Sequence, residues 1–136
     1  MSLKDRDAPE RMPDRTRLEA DIRALATPRH PRTSPAALER AESHVAQEMG
    51  AAGLRVERQP FAFRGVEYHN VLGTLDGRDP ARPWVVVGAH FDSVPRSPGA
   101  DDDASGVAAM LEVARLLGRE RPAATIQFVG FNLEEI

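Results

Sequence analysis

The sequence predicts an α/β fold from three observations. Leu18, Ile22 and Leu25 recur at the spacing of one helix face, and a second stripe of this kind follows them. Further along the chain the pattern changes to the two-residue alternation of β-strands. Residues 84–89 are a continuous apolar run, and residues 124–131 have the pattern of a second buried strand after another helical stretch. This order predicts two buried parallel strands joined by a right-handed crossover.

The first half of the chain predicts two helices and a hairpin. Residues 1–13 are polar and contain proline, so we expect a flexible lead-in to one domain over residues 14–136. A first short helix begins at Asp14. Ser34 and Pro35 are typical of the cap and first position of a second helix. Two alternating segments with a turn between them then predict a pair of strands.

The second half predicts a β-α-β unit. The apolar strand over 84–89 is followed by a loop, a helical stripe over 107–117 and the second apolar strand. The complete predicted order is therefore α-α-β-β-β-α-β. Open sheets of this class bind ligands at the carboxyl ends of their strands, which is where functional side chains are expected.

Composition and charge exclude several classes of function. The 136 residues are 41% hydrophobic and 29% charged, and the net charge of −3 argues against a nucleic-acid surface, which is basic. Cysteine is absent, which excludes disulfides and thiolate metal sites. No apolar run approaches the ~18 residues that span a bilayer, and the N-terminus lacks a secretory signal. We expect neither nucleic acid nor membrane as a partner, and a cytoplasmic location by default.

Polar side chains follow both buried strands. His90 ends the first strand, and Glu134 and Glu135 come just after the second. The acidic run 101–103 leads into the helix between them. Because parallel strands end at the same edge of a sheet, these groups are expected to converge although they are far apart in the sequence.

His90 and Asp92 are two residues apart in an extended segment, which puts them on the same side of the chain. A histidine that binds metal usually has its second ring nitrogen held by a carboxylate, and Asp92 can supply one. The alternative is a structural contact between the two side chains without a metal. Taken by itself, the pair favours this alternative.

Three consecutive aspartates are more than a helix cap needs. The start of a helix favours negative charge, but a single carboxylate satisfies this preference. The surplus in residues 101–103 therefore points to a cation. A carboxylate has two oxygens, so one aspartate can bridge two metal ions ~3.5–4 Å apart.

A calcium loop is a competing interpretation of the same residues. The EF-hand pattern is matched by Asp101, Asp103, Ser105, Gly106 and Glu112. That motif requires a helix before the loop and a non-helical loop up to its last acid. Here a strand and a proline-rich turn come first, and the residues up to Glu112 already repeat as a helix. We therefore expect no EF-hand.

Two adjacent glutamates at the end of a strand can divide two tasks between them. Neighbouring side chains diverge, so one of Glu134 and Glu135 can bind a metal while the other reaches a nearby water. A metal lowers the pKa of bound water towards ~7. A carboxylate in hydrogen-bond reach can then take its proton and pass it to a leaving amine.

Together, the segments GAHFDS, PGADDDASGVAAMLEVARLL and IQFVGFNLEE resemble the zinc aminopeptidases of peptidase family M28. The resemblance extends from about Glu57 to the end of the chain. It implies a three-layer α/β/α fold with a mixed, mostly parallel central sheet. It also implies an exopeptidase that hydrolyses the N-terminal bond of a peptide substrate with the help of two zinc ions.

The resemblance further implies a role for each site residue. His90 binds one zinc ion, and Asp92 lies behind it. Asp102 bridges both ions, and Glu135 binds the other ion. Glu134 is the general base. Members of the family also tend to have a non-proline cis peptide bond just after the bridging aspartate.

The ligand set that this chain supplies departs from the family pattern. The family site needs a further Asp and a further His from later segments, and the other three histidines of this chain all precede the motif. Each zinc ion would have two protein ligands, whereas catalytic zinc normally has three. We therefore expect the chain to be the N-terminal part of a peptidase domain, with an incomplete fold and no activity alone. An exposed sheet edge would allow self-association.

Two other functions stay open at this point. One is a glutaminyl-cyclase-like acyltransferase, which shares the His, Asp and Glu layout on the same fold but tends to lack the sequence DDDASG. The other is a non-catalytic interaction domain on the same scaffold. Such relatives usually lose metal ligands, whereas this chain has every ligand expected within the matching stretch.

Overall fold

The computed structural model describes residues 11–136. Residues 1–10 of the predicted lead-in lie outside the described residues, and residues 11–13 have no regular secondary structure. The described chain contains three α-helices and four β-strands in the predicted order. The helices are α1 (Arg15–Leu25), α2 (Pro35–Ala51) and α3 (Ser105–Leu117), and the strands are β1 (Arg55–Phe63), β2 (Val66–Leu75), β3 (Val85–His90) and β4 (Ile126–Phe131).

Local interactions explain where the first two helices begin. The Asp14 side chain accepts hydrogen bonds from the backbone N–H groups of Thr16 at 2.8 Å and Arg17 at 3.2 Å. Helix α2 begins at Pro35, whose fixed φ angle and missing N–H suit a first helical position. Ser34 precedes it at the predicted cap position, but its side chain makes no hydrogen bond to the helix.

The four strands form one mixed sheet in the order β1-β2-β4-β3. Strand β2 is antiparallel to both β1 and β4, whereas β3 and β4 are parallel and are connected through α3, as predicted. The α/β class and the mixed sheet are confirmed. Parallel pairing does not predominate among residues 11–136, because the tight β1–β2 hairpin brings an antiparallel strand against β4.

Helices α2 and α3 pack on one face of the sheet, and α1 packs mainly against α3. Their core includes Val71, Ala89 and Phe128, which point to the helical side of β2, β3 and β4. Close approach of α2 requires a glycine at position 73, because a Cβ atom on Gly73 would lie 2.8 Å from the Sδ atom of Met49. A missing side chain on the strand therefore makes room for the helix.

The other face of the sheet carries no helix within the described residues. Val86 and Phe131 on this face are 59% and 43% exposed. Within residues 11–136 the sheet therefore has a helical layer on one face, as expected for an incomplete α/β domain. Strand β3 is an edge strand of this sheet, as expected, and self-association through it stays a prediction.

Buried charges join the three helices. Arg115 on α3 donates hydrogen bonds to Asp21 on α1 at 2.7 Å and to Glu48 on α2 at 2.6 Å. Glu112, one turn earlier on α3, accepts a hydrogen bond from Arg17 on α1 at 2.6 Å. Asp21 and Glu112 are both nearly inaccessible to solvent. Each has a cationic partner, which is the condition under which a buried charge is tolerated.

The Glu112 contact predicts a dependence of stability on pH. The hydrogen bond from Arg17 lowers the pKa of Glu112 to about 2, although burial opposes this. The pKa of a glutamate in an unfolded chain is about 4.3. The stabilisation that ionised Glu112 contributes is therefore complete above that pH and is lost as the pH falls towards the pKa of Glu112 in the folded protein. Its size is about 3 kcal/mol. We expect Glu112→Gln to lower the free energy of unfolding at neutral pH and to flatten its decline in acid, as measured by urea denaturation.

The matched control is Glu19→Gln on α1. Glu19 accepts a hydrogen bond from Arg15 at 2.7 Å on the helix surface. An exposed pair four residues apart contributes at most about 0.5 kcal/mol, so this variant should keep the wild-type pH profile. A wild-type acid slope in Glu112→Gln would contradict the prediction.

Candidate metal centre

The predicted site residues lie at one edge of the sheet. His90 is the last residue of β3, and Glu134 and Glu135 come shortly after the end of β4. Both strand ends meet at this edge because β3 and β4 are parallel. The acidic turn, residues Ala100–Ala104, contains Asp102 and leads into α3. The acidic turn thus remains near the end of β3, before α3 carries the chain back to the opposite edge, where β4 begins.

The side chains of these residues converge. The Nε2 atom of His90 lies 2.9 Å from Oδ1 of Asp102 and 3.7 Å from Oε2 of Glu134. One ring nitrogen of His90 and one carboxylate oxygen from each of Glu134 and Glu135 all lie within 4.8 Å of one another. The structure therefore brings together the groups singled out in the sequence, while the chemical role of each stays a prediction.

Asp92 connects the two strand ends. Its side chain is fully buried, and its Oδ1 atom lies 3.3 Å from Nδ1 of His90. Its two oxygens also accept hydrogen bonds from the backbone N–H groups of Glu134 at 3.1 Å and Glu135 at 3.0 Å. Sequence reasoning missed these two bonds, because nothing in a local pattern indicates an acceptor more than 40 residues away. They hold the glutamate pair beside His90.

The three consecutive aspartates have different surroundings. Asp103 accepts a hydrogen bond from the backbone N–H of Gly106 at 3.0 Å and another from the backbone N–H of His90 at 3.3 Å. Asp102 faces the His90 ring, and Asp101 is exposed to solvent. The peptide bond between Asp102 and Asp103 is cis, as the resemblance implied. Asp103 thus ties the acidic turn to β3, and Asp102 is presented to the histidine.

The structure also excludes the calcium-loop interpretation. Residues Ser105–Leu117 form a helix, where an EF-hand loop would still be non-helical. Glu112 lies on that helix and pairs with Arg17. It therefore does not turn back towards Asp101 and Asp103.

The converging groups carry an excess of negative charge. Burial lowers the pKa of His90, but the hydrogen bond with Asp102 and the charge of Asp92 outweigh it, so the pKa is raised. Burial and the neighbouring charge of Asp102 raise the pKa of Glu135. Both directions are typical of crowded carboxylates, which take up protons to relieve their repulsion. A bound cation relieves the same repulsion and displaces those protons.

The donor atoms suit a divalent transition metal. Nε2 of His90 faces the carboxylates, and Nδ1 is buried without a hydrogen-bond partner among the described residues. One imidazole nitrogen with carboxylate oxygens is a ligand set that zinc accepts. His90, Asp102 and Glu135 fit such an ion on these grounds, with Asp92 beside the second ring nitrogen.

A second group of residues with ligand-like spacing is already neutralised. Asp21, His44 and Glu48 lie close together between α1 and α2. Arg115 donates to Asp21 and to Glu48, and His44 lies 2.9 Å from Asp21. The guanidinium supplies the positive charge here, so this group is part of the helix packing.

Arg29 is a further residue that sequence reasoning missed. It is fully buried, and its Nε atom donates a hydrogen bond to the carbonyl of Phe91 at 2.6 Å. Burial lowers the pKa of Arg29, whereas the charges of Asp92, Asp103 and Asp102 oppose this shift. Arginine is common in this chain, and one in the proline-rich segment before α2 carries no pattern that would have identified it.

The fold and the site together define a class of protein: an α/β protein in which a histidine and several carboxylates converge at the carboxyl edge of the sheet. Residues 70–136 match the model of peptidase family M28. This segment, which carries the match to family M28, contains the whole converging site.

Two curated relatives extend the comparison. The chain is 35% identical over 131 residues to the uncharacterised protein YfbL of Escherichia coli, a match that covers 87% of this chain and 39% of YfbL. It is 41% identical over 76 residues to aminopeptidase YwaD of Bacillus subtilis, which covers 55% of this chain and 17% of YwaD. The chain therefore spans well under half of the length of these relatives.

Solved structures show the same fold. A glutaminyl cyclase from Tannerella forsythia superposes with a TM-score of 0.74 at 28% identity, covering 92% of this chain and 48% of the cyclase. A Zn-dependent exopeptidase from Parabacteroides distasonis gives the same TM-score of 0.74 at 26% identity and the same two coverages, 92% and 48%. Two different reaction classes thus share the scaffold of this chain.

The position of Asp92 predicts the effect of replacing it. In Asp92→Asn, one acceptor oxygen becomes an NH₂ donor that faces a backbone N–H group. We expect a loss of about 2–3 kcal/mol in the free energy of unfolding, since a buried donor loses its charged acceptor. Hydrogen exchange at the amides of Glu134 and Glu135 should become faster. Asp76→Asn, at an exposed position, is the control, and unchanged exchange at both glutamate amides would refute the assignment.

Proposed function

We propose that this chain supplies the metal-binding edge of a zinc-dependent exopeptidase that hydrolyses N-terminal peptide bonds. The observation that supports it best is the convergence of His90, Asp102, Glu134 and Glu135 at one sheet edge, within a segment that matches family M28. The name of the Parabacteroides distasonis structure, a Zn-dependent exopeptidase, supports zinc as the metal. The substrate is a peptide with a free N-terminus.

His90, Asp102 and Glu135 hold the metal in this proposal. Asp102 has two carboxylate oxygens and could contribute to holding two ions, so we propose that the complete site would take two zinc ions. When bound, zinc polarises the scissile carbonyl and lowers the pKa of water. In this proposal Asp92 orients the His90 ring by its negative charge, which lies 3.3 Å from Nδ1 without a hydrogen bond to it in this structure.

Glu134 is the proton carrier in this proposal. Its carboxylate lies 3.7 Å from the His90 ring nitrogen, and its side chain is 59% exposed, so it can reach both water and substrate. The carboxylate takes a proton from water as the peptide carbonyl is attacked. It then gives this proton to the amine that leaves. Its backbone N–H is held by Asp92, which limits movement of the side chain.

The ligands on this chain do not complete two zinc sites. His90 with Asp102, and Asp102 with Glu135, give two protein ligands for each ion, whereas catalytic zinc normally has three. We propose that further ligands come from a longer protein, of which this chain is the N-terminal part. The chain spans 39% of YfbL and 48% of the exopeptidase structure, which supports this proposal. On its own, the chain then binds zinc weakly and is inactive.

Glutaminyl cyclisation is the second candidate function. It is favoured by the superposition on the Tannerella forsythia glutaminyl cyclase, which fits as well as the exopeptidase does. Both reactions need a polarised carbonyl and a carboxylate that moves a proton. They differ in the nucleophile, which is water in one case and the α-amine of the substrate in the other.

Site variants test the proposed roles. We expect the wild-type chain to bind Zn²⁺, and His90→Ala to lose at least tenfold in affinity because it removes the only imidazole ligand. Glu134→Gln should keep zinc content unchanged. In the full reading frame that carries these residues, Glu134→Gln should lower kcat by about 10²–10⁴-fold, since it removes the proton carrier. Zinc affinity is measured by chelator competition, and hydrolysis with aminoacyl-nitroanilides.

The products formed from an N-terminal glutaminyl peptide distinguish the two functions. An N-terminal glutaminyl peptide that cyclises without any loss of a residue would replace the peptidase proposal by the cyclase. A wild-type chain that binds no Zn²⁺, or a Glu134→Gln protein with full activity, would refute the proposed mechanism. His69→Ala, at a histidine of β2 outside the converging group, is the control for the histidine substitution.

A further inference from the structure

The metal site is divided by an irregular loop. The linker loop, residues 91–99, separates β3 from the acidic turn and contains neither helix nor strand. His90 lies immediately before it, and Asp102 comes three residues after it. For His90 Nε2 and Asp102 Oδ1 to stay 2.9 Å apart, both ends of the linker loop must be held at a fixed separation.

One buried side chain contacts both ends of this loop. The guanidinium of Arg29 donates from Nε to the carbonyl of Phe91 at 2.6 Å, at the start of the linker loop. It also donates from Nη1 to the carbonyl of Pro98 at 2.6 Å and from Nη2 to the carbonyl of Gly99 at 3.1 Å, at its end. The planar group thus spans the gap between the two ends.

Arg29 is itself anchored to the helical layer. Nη1 donates to the carbonyl of Leu25 at 2.7 Å, at the last residue of α1. The backbone N–H of Arg29 donates to Oγ of Ser93 at 3.0 Å, within the linker loop. Every hydrogen bond that the guanidinium makes in residues 11–136 goes to a backbone carbonyl. Its fixed position therefore depends on backbone geometry.

Burial of this cation has a large desolvation cost. Arg29 is 0% exposed and forms no ion pair within the described chain. Moving such a group out of water costs several kcal/mol, which hydrogen bonds to carbonyls only partly offset. A methionine of similar length would avoid this cost, so the arrangement points to a geometric requirement.

The end of the linker loop is shaped to receive the guanidinium. Gly99 has φ of +56°, a conformation that favours glycine. A Cβ atom at this position would lie 3.1 Å from both Nη1 and Nη2 of Arg29 and 2.6 Å from the carbonyl oxygen of Asp102. The same glycine therefore admits both the guanidinium and the tight turn towards Asp102.

We propose that Arg29 is a positioning residue that sets the distance between His90 and Asp102, and through it the metal affinity of the site. This inference rests on the proposed function. Arginine is required because its fork reaches both ends of the linker loop at once, whereas the single ammonium of lysine reaches only one. The charge alone is not sufficient.

The test compares Arg29→Lys with Arg115→Lys in the 136-residue chain. Both substitutions keep the charge at a buried arginine, but Arg115 lies in the helix network away from the site. We expect Arg29→Lys to weaken Zn²⁺ binding by about 10–100-fold in chelator competition, as is typical when the support of a metal ligand is lost. Arg115→Lys should lower thermal stability and leave zinc affinity within twofold of wild type.

A second measurement does not depend on metal. Hydrogen exchange of the metal-free chain reports the amides of His90 and Gly106, which donate to Asp103. We expect Arg29→Lys to increase exchange at these two amides about tenfold, with the β2–β4 ladder unchanged. Arg115→Lys should not affect them selectively. This comparison separates local positioning from a general loss of stability.

The outcomes separate this inference from the proposed function. A wild-type chain that binds no Zn²⁺ overturns the proposed function and, with it, the claim about metal affinity. Wild-type binding that is unchanged in Arg29→Lys overturns the inference and leaves the proposed function intact. Hydrogen exchange at the amides of His90 and Gly106 that stays at the wild-type rate in Arg29→Lys also overturns the inference about Arg29.

Discussion

The parallel pairing of β3 with β4 is the constraint on which the site depends. It places His90 opposite Phe131, so that the histidine and the glutamates beyond the second strand emerge at one edge. The hydrogen bonds from Glu134 and Glu135 to Asp92 then close the gap between the two strand ends. A slip in this register would separate the imidazole from the glutamates, because each residue along a strand moves the side chain by about 3.3 Å.

The same edge shows how the protein tolerates crowded carboxylates. Buried Asp92 and partly buried Asp103 are satisfied by backbone N–H groups, so their charges are fixed in orientation. Arg29 adds a buried positive charge behind them. Asp102 and Glu134 remain largely exposed and are not tied in this way. The negative charge that is left over faces solvent, where a metal and a substrate can approach.

The two faces of the sheet differ in burial, as the carboxylates of the site do. One face is covered by α2 and α3, which a buried ion network joins to α1, and the other exposes Val86 and Phe131. No helix among the described residues is long and apolar enough to cross a membrane. The chain covers about half of each of the two solved structures compared above, and the sheet face that carries no helix within residues 11–136 is apolar.

Local patterns were sufficient for much of this protein. Helical and strand periodicity predicted the element order, and the residues at the strand ends predicted which side chains meet, because parallel strands bring their ends together. The strand order β1-β2-β4-β3 was not predictable from the sequence, because either strand of the β1–β2 hairpin could have paired with β4. Arg29 and the second task of Asp92 were decided only by tertiary structure. Their partners around the site lie more than 40 residues away, and a hydrogen bond to a backbone atom does not depend on the identity of the partner residue.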